Sequence, residues 1–267
     1  MQIKYIGSTW GIELSALEGT LRKLRDAGFA GVEMGVPPEE KGRRELRGLL
    51  DDLGLDLVAQ QWTAGSSPLD HAKSFEEQYR RGVSMRPLLV NSHTGKDYFS
   101  LQENMLIFRR AVELEEEMGV PIAHETHRGR ALFSTLATSS LLEAVPQMRL
   151  TADFSHWCVV HESLLEDQRA HLDRAIERTI HIHARVGHPE GPQVADPRAP
   201  EWKNAVDVHL RWWSQIIEAR RRSGVLTITP EFGPPDYMPT LPFTRQPVAD
   251  LWGVVLFMKE LLQTKLQ

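Results

Sequence analysis

Cysteine is nearly missing from this sequence. Cys158 is the single one in 267 residues, which excludes an intramolecular disulfide and a thiolate zinc cluster. Its expected role is that of a small buried hydrophobe. A basic run is missing too, and 31 Lys and Arg against 36 Asp and Glu leave a formal net charge of −5. That balance argues against a protein held on nucleic acid by phosphate contacts. No apolar run approaches the roughly 18–20 residues that cross a bilayer. The densest near the end is LWGVVLF at 251–257. The opening residues, MQIKYIGSTWG, lack the basic-then-apolar text of a secretion signal. These absences predict a cytoplasmic protein without membrane or nucleic-acid partners. The first strand-like segment runs into IGSTWG, so the Gly-rich phosphate loop of a doubly wound sheet is also missing. What is present, 41% hydrophobic and 25% charged residues, fits a globular chain with a sizeable core.

Eight short apolar or β-branched segments, bounded by Gly, Pro or polar residues, read as strands. They lie at 3–7, 30–34, 55–62, 87–93, 121–125, 149–153, 179–184 and 225–231. Helical periodicity falls between them at 17–28, 44–54, 100–119, 163–178, 206–224 and 248–263. In the first helix Leu17, Leu21 and Leu24 recur at helical spacing before Gly28, a C-cap residue. Alternating β and α text predicts a parallel sheet. Eight such units in about 250 residues predict an α/β chain folded as one (β/α)8 barrel over residues 1–267. The Gly- and Pro-rich segment 187–202 follows the seventh strand. It is long for a connection in a compact domain and is expected to lie over the active site.

A parallel barrel builds its site at the C-terminal ends of its strands. The polar residues there are Glu33 on strand two and Gln60, Gln61 and Trp62 on strand three. His93 ends strand four, and His124, Glu125 and His127 surround the end of strand five. Asp153 and His156 follow strand six, His181 and His183 lie on strand seven, and Glu231 ends strand eight. Four consecutive strands thus offer a metal ligand each: Glu125, Asp153, His183 and Glu231. Neighbouring strands lie about 4.8 Å apart, close enough for these side chains to converge. Three carboxylates gathered together repel one another unless a cation stabilises them. Three carboxylates and one imidazole form a hard, oxygen-rich set that suits one divalent ion, Mn²⁺ first, with Mg²⁺, Zn²⁺, Co²⁺ or Fe²⁺ as alternatives. Strand alternation puts His181 on the same face as His183, as a supporting partner or a satisfied core histidine.

The stretches GVEMG (31–35), SHTG (92–95), HETH (124–127), DFSH (153–156), HIHAR (181–185) and PEFG (230–233) follow one another along nearly the whole chain. In that order they resemble the xylose-isomerase-like sugar isomerase/epimerase barrels, which share a fold with the endonuclease IV repair enzymes. The resemblance implies that Glu125, Asp153, His183 and Glu231 ligate the metal. It also implies that Glu125 and Glu231 form the acid/base pair, working on opposite sides of a carbon next to a carbonyl through an enediolate. His156 and His93 then contact substrate. Trp10 and Trp62, just after strand ends, are expected to stack on the sugar, whereas Trp157 suits either that or packing under the loops. The expected substrate is a small carbohydrate, a sugar, keto-sugar or polyol derivative, and the expected assembly is a homodimer or homotetramer.

Pro189 stands where such epimerases often carry an arginine, six residues beyond the strand-seven histidine, and Arg185 takes that substrate-binding role in this reading. Arg128 and Arg130 suit either a phosphate or solvent. Trp212 and Trp213 suit the core or a subunit interface. Three alternatives share the scaffold. A dehydratase acting on a keto-polyol begins with the same proton removal. An apurinic endonuclease needs further histidines, but strand three ends in Gln60, Gln61 and Trp62, and the pair Asp207 and His209 sits in helical text. A non-catalytic sugar-binding barrel has no need of both glutamates.

Overall fold

The structure, a computed structural model, describes residues 1–12 and 16–266. Eight parallel strands close into a barrel in sequence order. They are β1 (Gln2–Ser8), β2 (Gly31–Gly35), β3 (Asp56–Trp62), β4 (Leu89–His93), β5 (Ile122–Glu125), β6 (Leu150–Ala152), β7 (Thr179–His183) and β8 (Val225–Thr229). Pairing of β1 with β8, Gln2 opposite Val225, completes the ring. The expected single (β/α)8 barrel is therefore the observed architecture.

The helices, outside the ring, are α1 (Leu17–Asp26), α2 (Glu40–Leu53), α3 (Pro68–Val83), α4 (Leu101–Met118), α5 (Thr135–Ala144), α6 (Ser155–Val160), α7 (Arg169–Arg178), α8 (Lys203–Arg220) and α9 (Leu251–Lys265). Three of them, α3, α5 and α6, have no counterpart in the sequence reading. Pro68 opens α3 inside text that looks like a loop, yet Ser67 and Asp70 form a reciprocal cap there. That cap satisfies otherwise orphaned backbone donors. The α5 sequence, TLATSSLLEA, carries small hydroxyl residues that blur its periodicity. α7 starts six residues later than its periodic text, because 163–168 forms turns.

Between sheet and helices, Leu21, Leu24, Phe75, Phe108, Trp213 and Ile216 are fully buried. Inside the ring, Ile6, Val58, Leu89, Ala123 and Ile180 fill the base with apolar side chains. Ile180 joins them through a bulge. Leu150 opposes Thr179, but the next residue, Thr151, opposes His181. The extra residue in β7 re-aims the strand, and both His181 and His183 reach the polar groups above this apolar base.

Several sequence alternatives resolve into packing. Trp212 and Trp213 are core residues, 6% and 1% exposed. Trp157 is buried, stacks on Phe154, and its indole donates to the Leu132 carbonyl at 3.0 Å. Burial pushes the Cys158 thiol far above its ordinary range, so it behaves as the expected inert hydrophobe. Asp207 pairs with Lys203. His209 accepts the Gly187 N–H at Nε2, 3.2 Å, and its Nδ1 lies 2.9 Å from the Ala205 carbonyl.

Burial lowers the His209 pKa to about 4. The unfolded chain binds a proton there below about pH 6.5, whereas the native chain does not until about pH 4. Stability therefore falls as pH drops through this window. Urea unfolding at several pH values should show His209→Gln losing less stability than wild type between pH 6.5 and 4, by up to about 3 kcal/mol. Equal pH slopes would contradict this.

Candidate metal centre

Above the apolar base the barrel interior turns polar. Glu33, from β2, is 1% exposed and sits at the centre of this layer. Its carboxylate accepts from Asn91 Nδ2 at 2.9 Å and Thr229 Oγ1 at 2.6 Å. It also faces His183 Nε2 at 2.9 Å and His181 Nε2 at 3.2 Å. Burial pushes Glu33 upward, but its interactions with His183 and His181, hydrogen bonds included, outweigh it and hold the carboxyl well below its usual range. A carboxylate at Nε2 fixes the proton there and leaves Nδ1 as the free ligand nitrogen. His181 is anchored separately, its Nδ1 lying 2.6 Å from Thr227 Oγ1. Glu33 is thus an orienting group that strand-end logic alone does not assign. Glu33→Gln is expected to weaken Mn²⁺ binding by roughly 10–100-fold, measured by titration calorimetry; unchanged affinity would contradict the orienting role.

His183 Nδ1 points toward the predicted ligands. It lies 3.0 Å from Glu231 Oε2 and 3.6 Å from Glu125 Oε2, without hydrogen-bond geometry to either. Glu125, Asp153, His183 and Glu231 each offer a ligand atom, and those atoms all lie within 4.8 Å of one another. All four residues are buried. Glu125 Oε1 is likewise buried without a partner among the described residues. Burial raises Asp153 above its ordinary range, and the charges of Glu125 and Glu231 add to this against Arg185. Crowded carboxylates with orphaned donor atoms are a donor set that fits a divalent cation.

Arg185 is the protein's own cation at this cluster. Its guanidinium, 2% exposed, pairs through Nη2 with Asp153 and, at 3.0 Å, with Glu231 Oε2. The same nitrogen lies 3.3 Å from His156 Nε2, while Nη1 has no partner among the described residues. The guanidinium stands over the rings of Tyr237 and Trp10, at 4.8 and 5.6 Å.

A pocket of ≈ 310 Å³ opens directly onto the cluster. Its walls carry Glu125, Glu231, His93, Arg185, Trp10 and Trp62, all expected site residues, together with His127, Gln60 and Tyr237. Trp62 stacks on His93 at 5.4 Å, and Trp10 meets Tyr237 edge-on at 4.9 Å. His156 lies behind the wall, fully buried, its ring 3.9 Å from that of His127. A larger groove of ≈ 680 Å³ runs between α3 and α4. Arg110 there pairs with Glu76 and Glu113, and no strand end reaches it.

Tyr237 escaped the sequence reading because it follows β8 in a segment without regular structure, where no periodicity marks it. His127 was visible as the second residue after Glu125. Arg128 lies 5.2 Å over the Tyr237 ring, and Arg130 donates to the Thr63 carbonyl at 2.9 Å. In the 187–202 segment, Gln193 Nε2 donates to the Gly233 carbonyl at 3.1 Å, and the Gly233 N–H donates back to Oε1 at 2.6 Å. A Cβ at Gly233 would meet the Trp10 ring at 2.2 Å, so glycine allows Trp10 to close on the backbone beside Glu231.

No curated protein is a significant match to the sequence. Among solved structures, a xylose isomerase-like barrel protein from Mycobacterium smegmatis in complex with magnesium superposes with a TM-score of 0.67 at 11% identity, covering 99% of this chain and 98% of that one. A D-tagatose 3-epimerase-like protein gives 0.66 at 14%, covering 98% and 97%. Endonuclease IV from Thermus thermophilus gives 0.62 at 13%, covering 98% of each. At such identities the likeness is one of fold. A family profile for xylose isomerase-like TIM barrels matches residues 21–218, and the chain belongs to that family.

Proposed function

We propose that the protein is a divalent-metal-dependent isomerase or epimerase of a sugar, keto-sugar or polyol derivative. The observation that carries this reading is the placing of two buried carboxylates, Glu125 and Glu231, both within the ligand cluster and both on the pocket wall. Glu125, Asp153, His183 and Glu231 would hold the ion, with Mn²⁺ the first choice for so oxygen-rich a set. When bound, such an ion supplies Lewis acidity toward a substrate carbonyl.

The protein's own groups supply the proton traffic. One glutamate removes the proton from the carbon next to the carbonyl, and the other delivers a proton to the resulting enediolate. Arg185, with its unpartnered Nη1, and His93 hold substrate oxygens, while His156, behind the wall rather than on it as expected, backs Arg185 and His127. Trp10, Trp62 and Tyr237 cover apolar ring faces and exclude water, which strengthens every charge interaction inside. The 187–202 segment, tied to Gly233 through Gln193, would close the strand-eight side of the site.

The test is a panel of keto-sugars incubated with Mn²⁺-loaded protein in D₂O and followed by NMR. Deuterium entering the carbon next to the carbonyl, with the hydroxyl groups retained, supports the reading. Loss of a hydroxyl would make the protein a dehydratase. No exchange across the panel would contradict proton transfer on these substrates.

A further inference from the structure

The barrel has a second mouth, at the N-terminal ends of its strands, and a pocket of ≈ 270 Å³ opens there. It shares no lining residue with the pocket over the metal cluster. Leu89 and Ile180 of the apolar base line it, with Leu88 beside them. Thr227 lines it too, but its Oγ1 is already engaged, 2.6 Å from His181 Nδ1. The charged groups in its wall are two guanidiniums. Arg149 comes just before β6, and Arg220 stands in the last turn of α8.

The two are unequally partnered. Arg149 pairs with Glu115 Oε1, whose other carboxylate oxygen accepts the Ile122 N–H at 3.1 Å. Arg220 has no carboxylate partner among the described residues. Its Nε is buried and has no acceptor there. The next residue, Arg221, pairs with Glu218. Burial, and next the charge of Arg220, draw the Arg149 pKa below the ordinary arginine value. Two like charges half withdrawn from water, one of them unpaired, cost free energy that an anion between them would remove. A purely structural role predicts the opposite, a carboxylate for each guanidinium, as Arg80 and Arg110 have on the surface of α3 and α4.

We propose that this mouth binds a small organic oxyanion, a carboxylate or a phosphate ester, with its head between Arg149 and Arg220 and its apolar body against Leu88, Leu89 and Ile180. The planar guanidinium fork matches either head through paired hydrogen bonds. The volume falls near the lower end of small-molecule sites. The site is built from its own residues and does not depend on the metal-dependent reading.

Calorimetric titration of the full-length protein with inorganic phosphate and, separately, with hexanoate tests it, at low ionic strength because salt screens such contacts. One equivalent of at least one probe is expected to bind. Phosphate alone would mark a phosphate head, and hexanoate alone a carboxylate with its tail on the apolar floor. Arg220→Gln, which breaks no ion pair, is expected to abolish binding, with circular dichroism confirming its fold. Arg149→Lys keeps a cation for Glu115 but loses the fork. It is expected to weaken binding by about tenfold or more, the worth of one charge-assisted hydrogen bond. Wild type that binds neither probe at millimolar concentration would overturn the site. Binding retained by a folded Arg220→Gln protein would also overturn it, since the anion would then sit elsewhere. Unchanged affinity in Arg149→Lys would overturn the paired hold, and that variant decides the matter if Arg220→Gln does not fold.

Discussion

Glu125→Gln, and separately Glu231→Gln, is expected to lower solvent-proton exchange into substrate by ~10²–10⁴-fold, the usual contribution of a positioned acid or base. Glutamine keeps the shape of the side chain, including an oxygen to accept from Asn91 Nδ2, now 3.0 Å from Glu125 Oε2. It cannot take up a proton at that oxygen. Both positions are buried, at 1% and 4% exposure, and each substitution removes one member of a crowded anionic set. The fold is therefore expected to survive, with a melting temperature close to wild type. Mn²⁺-loaded variants are compared in the D₂O assay on whichever keto-sugar exchanges fastest with wild type. Full exchange in either variant contradicts the acid/base pair.

Arg185→Met is expected to produce the largest loss of stability. It removes the guanidinium that pairs with Asp153 and Glu231 and leaves two buried carboxylates without that partner. Breaking a buried pair from one side costs about 3–5 kcal/mol. In a chain of this size that lowers the melting temperature by on the order of 10 °C. Methionine preserves much of the packing against Trp10 and Tyr237, so the loss reports charge more than volume. Mn²⁺ binds only the folded site and should restore part of the loss, by about 2.7 kcal/mol at a hundredfold excess over Kd. Differential scanning calorimetry of the chelator-treated protein, with and without Mn²⁺, reads both effects. A melting temperature equal to wild type would show that Arg185 does not compensate these carboxylates.

The barrel was legible because each strand is a short, apolar or β-branched segment bounded by Gly, Pro or polar residues, and every strand boundary lies within two residues of its expected place. Helices were less legible where their signal was not periodic. The Ser67–Asp70 cap announces α3, but Gly65 and Pro68 around it read as a loop. At the site, strand-end position identified Glu125, Asp153, His183 and Glu231 as neighbours before any coordinates. Alternation placed His181 and His183 on one face without distinguishing them. The distinction comes from Glu33, which faces Nε2 of both, while Thr227 engages the other nitrogen of His181. That arrangement links residues nearly 150 positions apart and leaves no local trace. Tyr237 and the Gln193–Gly233 clasp were hidden for the same reason, since each belongs to irregular chain whose partners lie far away in sequence.

The central claim is that Glu125, Asp153, His183 and Glu231 together bind a divalent ion. Metal content per chain, measured by plasma mass spectrometry on purified wild type beside Asp153→Ala/His183→Ala, tests it most directly. The account predicts divalent metal in the wild type that falls by one equivalent per chain in the folded variant. Equal content in the two proteins, or no metal in the wild type, would contradict it.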